Sequence, residues 1–394
     1  MTITSPSIKS LTPGQFPIDT NNNLVALAAG GTGGHVFPAL AVARNLRQHG
    51  YRTILFTDRR GAKMAPAMNA MSGIDRVKII SAASPFQGGV LRRITAMAKI
   101  IIGMTSSWAA MIRHRPMVMI GFGGYPSFGP MTAAKLLGVP MMLHEQNGFL
   151  GRANRALARL AGHLALSWPA TRNLPDNIKT IQSGMPVRDE FFGINSAPKL
   201  TKTGDINLLI IGGSQGAALF ADLIPAAIAL LDKKLRQRVV ITQQCREDQA
   251  GQIDALSRAY AAMDVRATIA PFFDDVEARM DQSHLVITRS GASSVAELAA
   301  AGRAAIMIPL PTAMDDHQTM NARQLETVGG GVLAAQGALD AASLGTIISD
   351  IITNPSRLGK MATDAKTLAR PDAATSIAGY ALSLAHGDSN GGSA

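Results

Sequence analysis

The stretch GGTGGHVFPALAVARNL, residues 30–46, decides the fold class because it joins a glycine turn to an apolar helix. It follows NLVALAA (23–29), a short apolar run typical of a buried strand, and it precedes a second such run at 51–58. The order strand, glycine turn, helix, strand predicts a βαβ unit with parallel strands.

The same order restarts in the second half of the chain. INLLIIGGSQGAALFADLIPAAIALL (206–231) again predicts a strand, a glycine turn and a helix. Further strands are predicted at 77–84, 117–127, 139–147 and 238–245, and further units of strand, turn and helix at 265–280, 284–302 and 304–329. We therefore predict an α/β protein with two Rossmann-like, doubly wound parallel-sheet domains.

The predicted organisation has four parts, with the polar stretch NSAPKLTKTGD (195–205) near the boundary of the two halves. They are a mobile N-terminal tail (1–22), a first domain (23–190), a second domain (191–365), and a C-terminal helix with a frayed end (366–394). We expect the C-terminal helix to pack back on the first domain.

Composition narrows the function classes. The 394 residues include 38 Lys and Arg against 27 Asp and Glu, a net charge of +11, which favours an anionic partner such as nucleic acid, anionic lipid or a phosphorylated substrate. With 47% hydrophobic and 16% charged residues, the chain is a core-building globular protein. The single cysteine, Cys245, excludes an internal disulfide and a cysteine-based zinc cluster, and it indicates a reducing, cytoplasmic setting.

One apolar segment raises the question of a membrane. ITAMAKIIIGMTSSWAAMI (94–112) carries Lys99 and a Thr-Ser-Ser break, which favours an amphipathic or buried helix over a membrane span. The overlapping stretch 85–104 adds Arg92 and Arg93 and could lie on an anionic leaflet. The alternative is an ordinary helix packed on the sheet with a basic outer edge. No secretory signal is visible at the N-terminus.

The opening glycines predict a turn in which backbone approaches a ligand closely. The helix that follows would direct its unpaired N–H groups at an anion there, although a tight connection without a ligand has the same sequence. The spacing differs from G-x-G-x-x-G, and only Asp58 stands at the end of the next strand, so a nicotinamide cofactor is disfavoured.

His35 follows the glycines, where the helix dipole disfavours its charged form. A neutral imidazole can accept a proton from a hydroxyl, but a structural histidine bonded to a backbone carbonyl is an equal alternative.

Six motifs occur in one order along the chain. They are the opening stretch, FGGYPSFGPMTAAKLLGVPMMLHEQN (122–147), SGMPVR (183–188), IIGGSQGA (210–217), RSGASSVAELAAAGRAAIMIPLP (289–311) and DDHQTMNA (315–322). Together they resemble the MurG family of peptidoglycan glycosyltransferases, from about residue 24 to the last helix.

The resemblance implies the GT-B fold, with two Rossmann-like domains facing each other across a cleft. It also implies an inverting transfer of N-acetylglucosamine from UDP-GlcNAc to the C4 hydroxyl of MurNAc in undecaprenyl-pyrophosphoryl-MurNAc-pentapeptide (lipid I), giving lipid II and UDP. It implies no cofactor and no metal, and the chain has no Asp-x-Asp triplet. The implied setting is the cytoplasmic face of the bacterial inner membrane, bound peripherally to an anionic surface, with other cell-wall synthesis proteins as possible partners.

The resemblance further implies the residues of the site. His35 is the candidate base, and the acceptor side is implied to hold Gly123, Gly124, Tyr125 and Ser127. The residues implied to contact UDP-GlcNAc are Thr32, Gly33, Gly34, Asn147, Arg188, Ser214, Gln215, Gly216, Phe273, Ala292, Ser293, Ser294, Val295, Ala296, Glu297 and Gln318.

Several of these have specific roles by resemblance. Ser214 and its glycines contact the diphosphate, with Arg188 in reach of it, and the backbone of Phe273 pairs with the uracil edge. Gln318, in a loop over 315–322, bonds sugar hydroxyls, because an amide offers both a donor and an acceptor.

Ser294 and Glu297 carry two interpretations. Their spacing predicts a capping box at a helix start, which needs no ligand. The resemblance implies that Glu297 holds the ribose hydroxyls, and a carboxylate suits a cis-diol because it accepts two hydrogen bonds. The two roles are compatible, with Ser294 as the cap.

Two rival functions remain open at this stage. One is another GT-B enzyme that uses a UDP-sugar, such as a different lipid glycosyltransferase or a UDP-GlcNAc 2-epimerase. The other is a basic nucleic-acid-binding protein, which is disfavoured because aromatic residues make up only 5% of the chain and leave little for base stacking.

Overall fold

The fold is described in a computed structural model for residues 11–18, 22–64, 73–82, 90–195, 197–245 and 251–387, without the side chains of residues 90–93, 213–218 and 314. The chain forms two compact units. Unit 1 comprises Met1–Val187 together with Arg370–Ala394, and unit 2 comprises Arg188–Ala369.

Unit 1 is built on a seven-stranded parallel sheet in the order β3-β2-β1-β4-β5-β6-β7. Its strands are β1 (Leu24–Ala28), β2 (Arg52–Thr57), β3 (Arg76–Ile79), β4 (Val118–Gly121), β5 (Met141–Glu145), β6 (His163–Leu166) and β7 (Lys179–Gln182). Its first five helices are α1 (Gly33–Gln48), α2 (Arg59–Met64), α3 (Val90–His114), α4 (Phe128–Leu136) and α5 (Arg152–Ala161).

The central strand shows why the apolar runs are continuous. Val25 and Leu27 of β1 pack into one apolar layer of unit 1, while Leu24 and Ala26 pack into a second layer. Because helices cover both faces of a parallel sheet, every residue of β1 is buried. The order 3-2-1-4-5 around β1 places the carboxyl ends of β1, β4 and β5 side by side.

Helix α1 begins earlier than the sequence predicts. The apolar spacing favours a helix over 38–50, but α1 starts at Gly33, directly after the glycine turn, with Pro38 inside it. His35 therefore lies in the first turn of the helix, where its N–H donates to the carbonyl oxygen of the N-cap residue Thr32 at 3.2 Å.

Unit 2 is built on a six-stranded parallel sheet in the order β10-β9-β8-β11-β12-β13. Its strands are β8 (Ile206–Ile211), β9 (Val239–Gln244), β10 (Arg266–Ala270), β11 (Leu285–Thr288), β12 (Ala304–Met307) and β13 (Gly331–Leu333). Its helices are α6 (Asp189–Phe192), α7 (Gly213–Ala229), α8 (Lys233–Arg236), α9 (Gln252–Ala261), α10 (Val276–Gln282), α11 (Ala292–Ala301), α12 (His317–Thr327), α13 (Ala341–Ile352) and α14 (Pro355–Lys366). The predicted fold class, two doubly wound parallel sheets, is confirmed.

The chain enters unit 2 ahead of the polar stretch 195–205. Helix α6 packs on α11 and buries Phe191 completely, so the division falls between Val187 and Arg188. The buried Arg303 then fastens the following residues, because its guanidinium donates to the carbonyl oxygen of Asn195 at 3.0 Å.

The last helix, α15 (Ala373–Ala385), belongs to unit 1, where it packs on α1, β4 and β5. Residues 11–18 join the same layer through Phe16, which stacks on His386 with ring centroids 5.4 Å apart. The prediction of a mobile tail is wrong for residues 11–18, because burying Phe16 ties this segment to the core. Residues 1–10 and 19–21, and the predicted frayed end at 388–394, lie outside the described residues.

Helix α3 is amphipathic. Its stretch Ile94–His114 is long and apolar enough to cross a membrane, with a mean hydropathy of 1.3, but 28% of that apolar window is buried within the protein. One side packs closely on α4, since a Cβ added to Gly129 would lie 2.8 Å from the carbonyl carbon of Gly103. The opposite side exposes large apolar residues, namely Ile94, Met97, Ile101, Ile102, Trp108 and Ile112.

Candidate active site

The first glycine turn lies at the carboxyl end of β1 and is held from the neighbouring strand. Asp58, which follows β2, accepts hydrogen bonds from the backbone N–H of Gly31 at 3.3 Å and of Gly61 at 2.8 Å. Gly33 and Gly34 are the first residues of α1 and Thr32 is its N-cap, so their N–H groups open the helix. This backbone can bind an anion at the positive end of the helix dipole.

His35 sits over a second glycine turn. A Cβ added to Gly123 would lie 3.3 Å from Cε1 of the His35 ring, and one added to Gly124 would lie 3.4 Å from its Cδ2. Both glycines have positive φ, 91° and 76°, which favours glycine over any other residue. The turn after β4 therefore provides a close seat for the imidazole.

Gln146 holds the other side of the imidazole. Its Oε1 lies 3.1 Å from Nδ1 of His35, and its amide Nε2 donates to the carbonyl oxygen of Phe122 at 2.7 Å. The same Nε2 lies 3.2 Å from Nδ1 of His144, whose Nε2 faces the carbonyl oxygen of Gly184 at 3.1 Å. Burial lowers the pKa of His144 to about 4, so this ring is neutral at pH 7.

The carboxylate of Glu145 organises the loop after β5. It accepts from the backbone N–H and the side-chain amide of Asn147, both at 3.0 Å, and from the backbone N–H of Gly151 at 3.1 Å. The Asn154 amide adds a bond at 2.9 Å. Glu145 is thus a fully engaged structural carboxylate that fixes the half-buried Asn147.

The remaining predicted acceptor-side residues differ in exposure. Tyr125 is half-buried and stacks on Phe128 with ring centroids 6.3 Å apart. Ser127 is fully buried, and its hydroxyl lies 3.1 Å from the carbonyl oxygen of Ala28 and 2.8 Å from that of Gly123. Ser127 therefore ties β1 to the second glycine turn instead of facing a ligand.

In unit 2, two helix N-termini meet at one edge of the sheet. Strands β8 and β11 are neighbours with Ile211 opposite Thr288, and α7 and α11 follow them directly. The Thr288 hydroxyl donates to the carbonyl oxygen of Ile211 at 2.9 Å and holds the two strand ends together. Backbone N–H groups at a helix start favour an anion. The side chains of Ser214 and Gln215 lie outside the described ones.

Helix α11 corrects the capping-box prediction. Its N-cap is Gly291, without a side-chain cap, and Ser294 lies inside the first turn. Because helical backbone already begins at Ala292, Ser294 lies inside the helix and cannot be its N-cap. Val295 is fully buried and its N–H donates to the carbonyl oxygen of Gly291, which leaves Ala292, Ser293 and Ser294 to present the helix N-terminus.

Glu297 is the titratable group at this edge. It is half-buried, and burial raises its pKa to about 7, opposed by the positive charge of Arg188 and reinforced by the negative charge of Glu277. Arg188 pairs with Glu277 at 3.2 Å and lies over the ring of Phe191. Arg188 is thereby held where its charge reaches Glu297.

Phe273 and Gln318 occupy two further strand ends. The Phe273 ring is buried under the guanidinium of Arg279, 4.1 Å from the ring centroid, so only its backbone is suited to face a base. Gln318 accepts from the backbone N–H of Leu310 at 2.9 Å, so its amide offers chiefly its N–H donors to a ligand. The predicted loop over 315–322 is mostly the first turns of α12, which begins at His317.

Sequence reasoning missed the buried partners of the site. Gln146 and His144 stand in the HEQN motif (144–147), of which only Asn147 was singled out. Asn154, which donates to Glu145, was missed as well, and its Oδ1 is buried without a hydrogen-bond partner. The available signal was the strand pattern of β5, because alternate residues at a strand end face the same side. Across the described ranges, no group of three or more His, Cys, Asp or Glu side chains could hold a metal ion.

Two models of one protein family match the two halves of the chain. The glycosyltransferase family 28 N-terminal domain matches residues 25–165, and the family 28 C-terminal domain matches residues 207–377. The chain is 41% identical over 371 residues, 93% of its length and 98% of the relative's, to a UDP-N-acetylglucosamine–N-acetylmuramyl-(pentapeptide) pyrophosphoryl-undecaprenol N-acetylglucosamine transferase from Paramagnetospirillum magneticum. It is 43% identical over 359 residues, 90% of its length and 92% of the relative's, to the protein of that name from Granulibacter bethesdensis.

A solved structure supports the same family assignment. MurG from Acinetobacter baumannii superposes with a TM-score of 0.74 at 29% identity, covering 91% of this chain and 99% of that one. The GT-B fold class implied by the sequence is confirmed, as is the resemblance itself.

Proposed function

Since the chain belongs to glycosyltransferase family 28, we propose that it transfers N-acetylglucosamine from UDP-GlcNAc to the C4 hydroxyl of MurNAc in lipid I, giving lipid II and UDP. The observation that carries this proposal is the identity of about 40% over more than 90% of the chain to transferases that bear this name. Identity of that extent covers both units, so donor-binding and acceptor-binding elements are shared together.

In the proposed division of labour, unit 2 binds the nucleotide sugar. The N-termini of α7 and α11 bind the diphosphate, because their N–H groups and dipoles favour an anion. Glu297 in its ionised form accepts from the ribose hydroxyls, and Gln318 donates to the sugar. Arg188 adds positive charge against the departing UDP.

Unit 1 supplies the base. His35 takes the proton from the acceptor C4 hydroxyl as that oxygen attacks C1 of N-acetylglucosamine. The bond from C1 to the phosphate oxygen breaks on the opposite side, so the configuration at C1 inverts and UDP leaves with the electron pair. The resemblance assigns Gly33 and Gly34 to UDP-GlcNAc, but because they open α1 in unit 1 we assign them instead to the pyrophosphate of the lipid substrate.

The decisive experiment uses radiolabelled UDP-GlcNAc with a lipid I analogue. We expect label in the lipid product from UDP-GlcNAc, and much less from UDP-glucose or UDP-GalNAc. UDP release without any labelled lipid, in the absence of acceptor, would favour the rival 2-epimerase activity and contradict the proposal.

We also infer that α3 places the protein at the surface of the inner membrane, peripherally and on the cytoplasmic face. Lys99 is exposed on α3 itself. Helix α4 packs on α3 and also on α5, and α5 exposes Arg152, Arg155 and Arg159. Apolar side chains flanked by cations suit an anionic leaflet. The side chains of Arg92 and Arg93 lie outside the described ones.

Vesicle flotation tests this inference. We expect Ile101→Ser/Ile102→Ser and Arg92→Glu/Arg93→Glu to lower binding to anionic vesicles. The matched control is Leu230→Ser, which removes a side chain that is 62% exposed on unit 2 and should change nothing. Unchanged binding of both α3 variants would refute the assignment of α3.

A further inference from the structure

We propose that Gln146 is a positioning residue that fixes His35 in the tautomer protonated on Nδ1, so that Nε2 is the atom that accepts the acceptor's proton. This inference rests on the proposed function in which His35 is the base. A chain of buried hydrogen bonds supports it. Their directions can be assigned one after another, starting from backbone carbonyl oxygens, which only accept.

The orientation of the Gln146 amide follows from its backbone neighbours. Its Nε2 lies 2.7 Å from the carbonyl oxygen of Phe122 and 3.3 Å from that of His144. Carbonyl oxygens only accept, so the NH₂ group has to face them. The flipped amide would set its own oxygen against two others inside a fully buried site, which costs the hydrogen bonds and adds repulsion.

The tautomer of His35 follows from that orientation. Oε1 of Gln146 is left facing Nδ1 of His35 at 3.1 Å, and an amide oxygen cannot donate. Nδ1 therefore carries a proton, and in the neutral ring Nε2 is the acceptor. The Gly123–Gly124 turn limits the ring from another side, so its plane is held as well as its protonation.

His144 supports the arrangement from behind. Its Nε2 faces the carbonyl oxygen of Gly184 at 3.1 Å and so carries the proton, which leaves Nδ1 to accept from Gln146. Burial keeps the His144 ring neutral near pH 7, so its own Nδ1 stays unprotonated and accepts from Gln146. The indole Nε1–H of Trp168 donates to the Gln146 carbonyl at 2.8 Å and anchors the backbone of the positioning residue.

An amide has a specific advantage here over a carboxylate. It fixes the tautomer by accepting one hydrogen bond, yet it places no net charge inside the site, where an unpaired buried charge would be costly. The second-layer partner of a catalytic histidine commonly sets which ring nitrogen is protonated.

The test compares two buried glutamines. Gln146→Met removes the amide while keeping the side-chain length. Gln243→Met is the matched control in unit 2, because Gln243 is also fully buried, donates to the carbonyl oxygen of Phe220 at 3.0 Å and accepts from Tyr260 at 2.6 Å. Both variants should lose stability through unsatisfied partners, but only the first touches His35.

We expect Gln146→Met to lower kcat by roughly ten- to a hundredfold with an unchanged KM for UDP-GlcNAc, whereas Gln243→Met keeps kcat. In ¹⁵N spectra of histidine-labelled enzyme, assigned with His35→Gln, the wild type should show His35 protonated on Nδ1, and Gln146→Met should show a shift toward the other tautomer. A wild-type ring protonated on Nε2, or a Gln146→Met kcat equal to that of Gln243→Met, would overturn the proposal. The spectrum of the wild type needs no substrate, so its outcome is independent of whether lipid I is the acceptor.

Discussion

The two units share a doubly wound parallel sheet, yet they equip the carboxyl ends of their strands differently. In unit 1, the turn after β1 leads into His35, and the groups behind it are neutral and buried, chiefly Gln146 and His144. In unit 2, the corresponding edge holds charged groups, namely Arg188, Glu277 and Glu297. Unit 1 thus places an imidazole beside neutral, buried partners, whereas unit 2 places charged side chains beside its helix start.

The difference follows from what surrounds each helix start. Both glycine turns expose helix N–H groups, a property of the topology. Among the described residues, only unit 1 has a second glycine turn in contact with an imidazole, and only unit 2 has a carboxylate whose pKa is raised to about 7.

Removing the imidazole should have the largest effect. His35→Ala is expected to lower kcat by roughly 10²- to 10⁴-fold with little change in stability or in the KM for UDP-GlcNAc, because only proton transfer is lost. The control is His49→Ala, at the other end of α1, where the ring bonds the carbonyl oxygen of Asn45 at 2.8 Å. Steady-state kinetics decide the matter, and near-normal kcat in a folded His35→Ala enzyme would remove His35 from this role.

The second glycine turn, which contacts the imidazole of His35, should give the next largest effect. In Gly124→Ala the new Cβ would lie 2.5 Å from the carbonyl oxygen of Gly30 and 3.4 Å from the His35 ring, at a φ of 76°. We expect kcat to fall by roughly ten- to a hundredfold, together with a loss of stability of roughly 1–3 kcal/mol.

Gly138→Ala separates strain from geometry. Its φ is 68°, but nothing lies within 4 Å of the added Cβ, so it carries the backbone cost alone. Denaturation and kinetics should show both variants destabilised and only Gly124→Ala impaired in kcat. Equal kcat in the two would mean that the second glycine turn does not position His35.

On the unit 2 side, donor binding should depend on pH through Glu297. Because its pKa is raised to about 7, the carboxylate that accepts from ribose is lost as the pH falls below that value. We expect the Kd for UDP, measured by calorimetry, to rise several-fold from about pH 8 to about pH 6, and Glu297→Gln to flatten the profile. A wild-type profile parallel to that of Glu297→Gln would contradict the ribose role.

The same shift has an opposite sign for stability. The folded protein without donor holds this proton more tightly than the unfolded chain, whose carboxyl has the ordinary value of 4.5. The contribution of Glu297 to stability is therefore greatest at low pH and is lost as the pH rises from about 4.5 to about 7. Donor binding and donor-free stability should thus respond to pH in opposite directions.

The fold was predictable where strands are buried on both faces. Central strands such as β1 and β8 are continuous apolar runs, and the glycine turns after them mark the parallel topology. The strands β6, β7 and β13 were missed, because HLAL and GVL are too short to show a period and KTIQ at the sheet edge buries only Ile181.

The site was predictable only in part, for a related reason. Glycines and His35 are adjacent in sequence, so their pattern is visible. Gln146 meets His35 across 111 positions of the chain, and no local spacing carries such a contact. The apparent capping box at Ser294 shows the converse, since the local pattern is present but α11 begins at Ala292, with Gly291 as its N-cap.

The smallest expected effect concerns that serine. Because Ser294 lies inside the first turn of α11 and does not cap it, Ser294→Ala should leave the thermal stability unchanged. If its hydroxyl serves the donor, the KM for UDP-GlcNAc should rise by roughly two- to threefold through loss of one hydrogen bond to a neutral group.

Asp340→Ala is the matched control, because Asp340 accepts from the backbone N–H of Ser343 at 2.8 Å in a true capping box of unit 2. That variant should lower Tm and leave KM alone. The opposite result, a lower Tm and an unchanged KM in Ser294→Ala, would restore the purely structural interpretation of this helix start and weaken the assignment of unit 2 as the donor side.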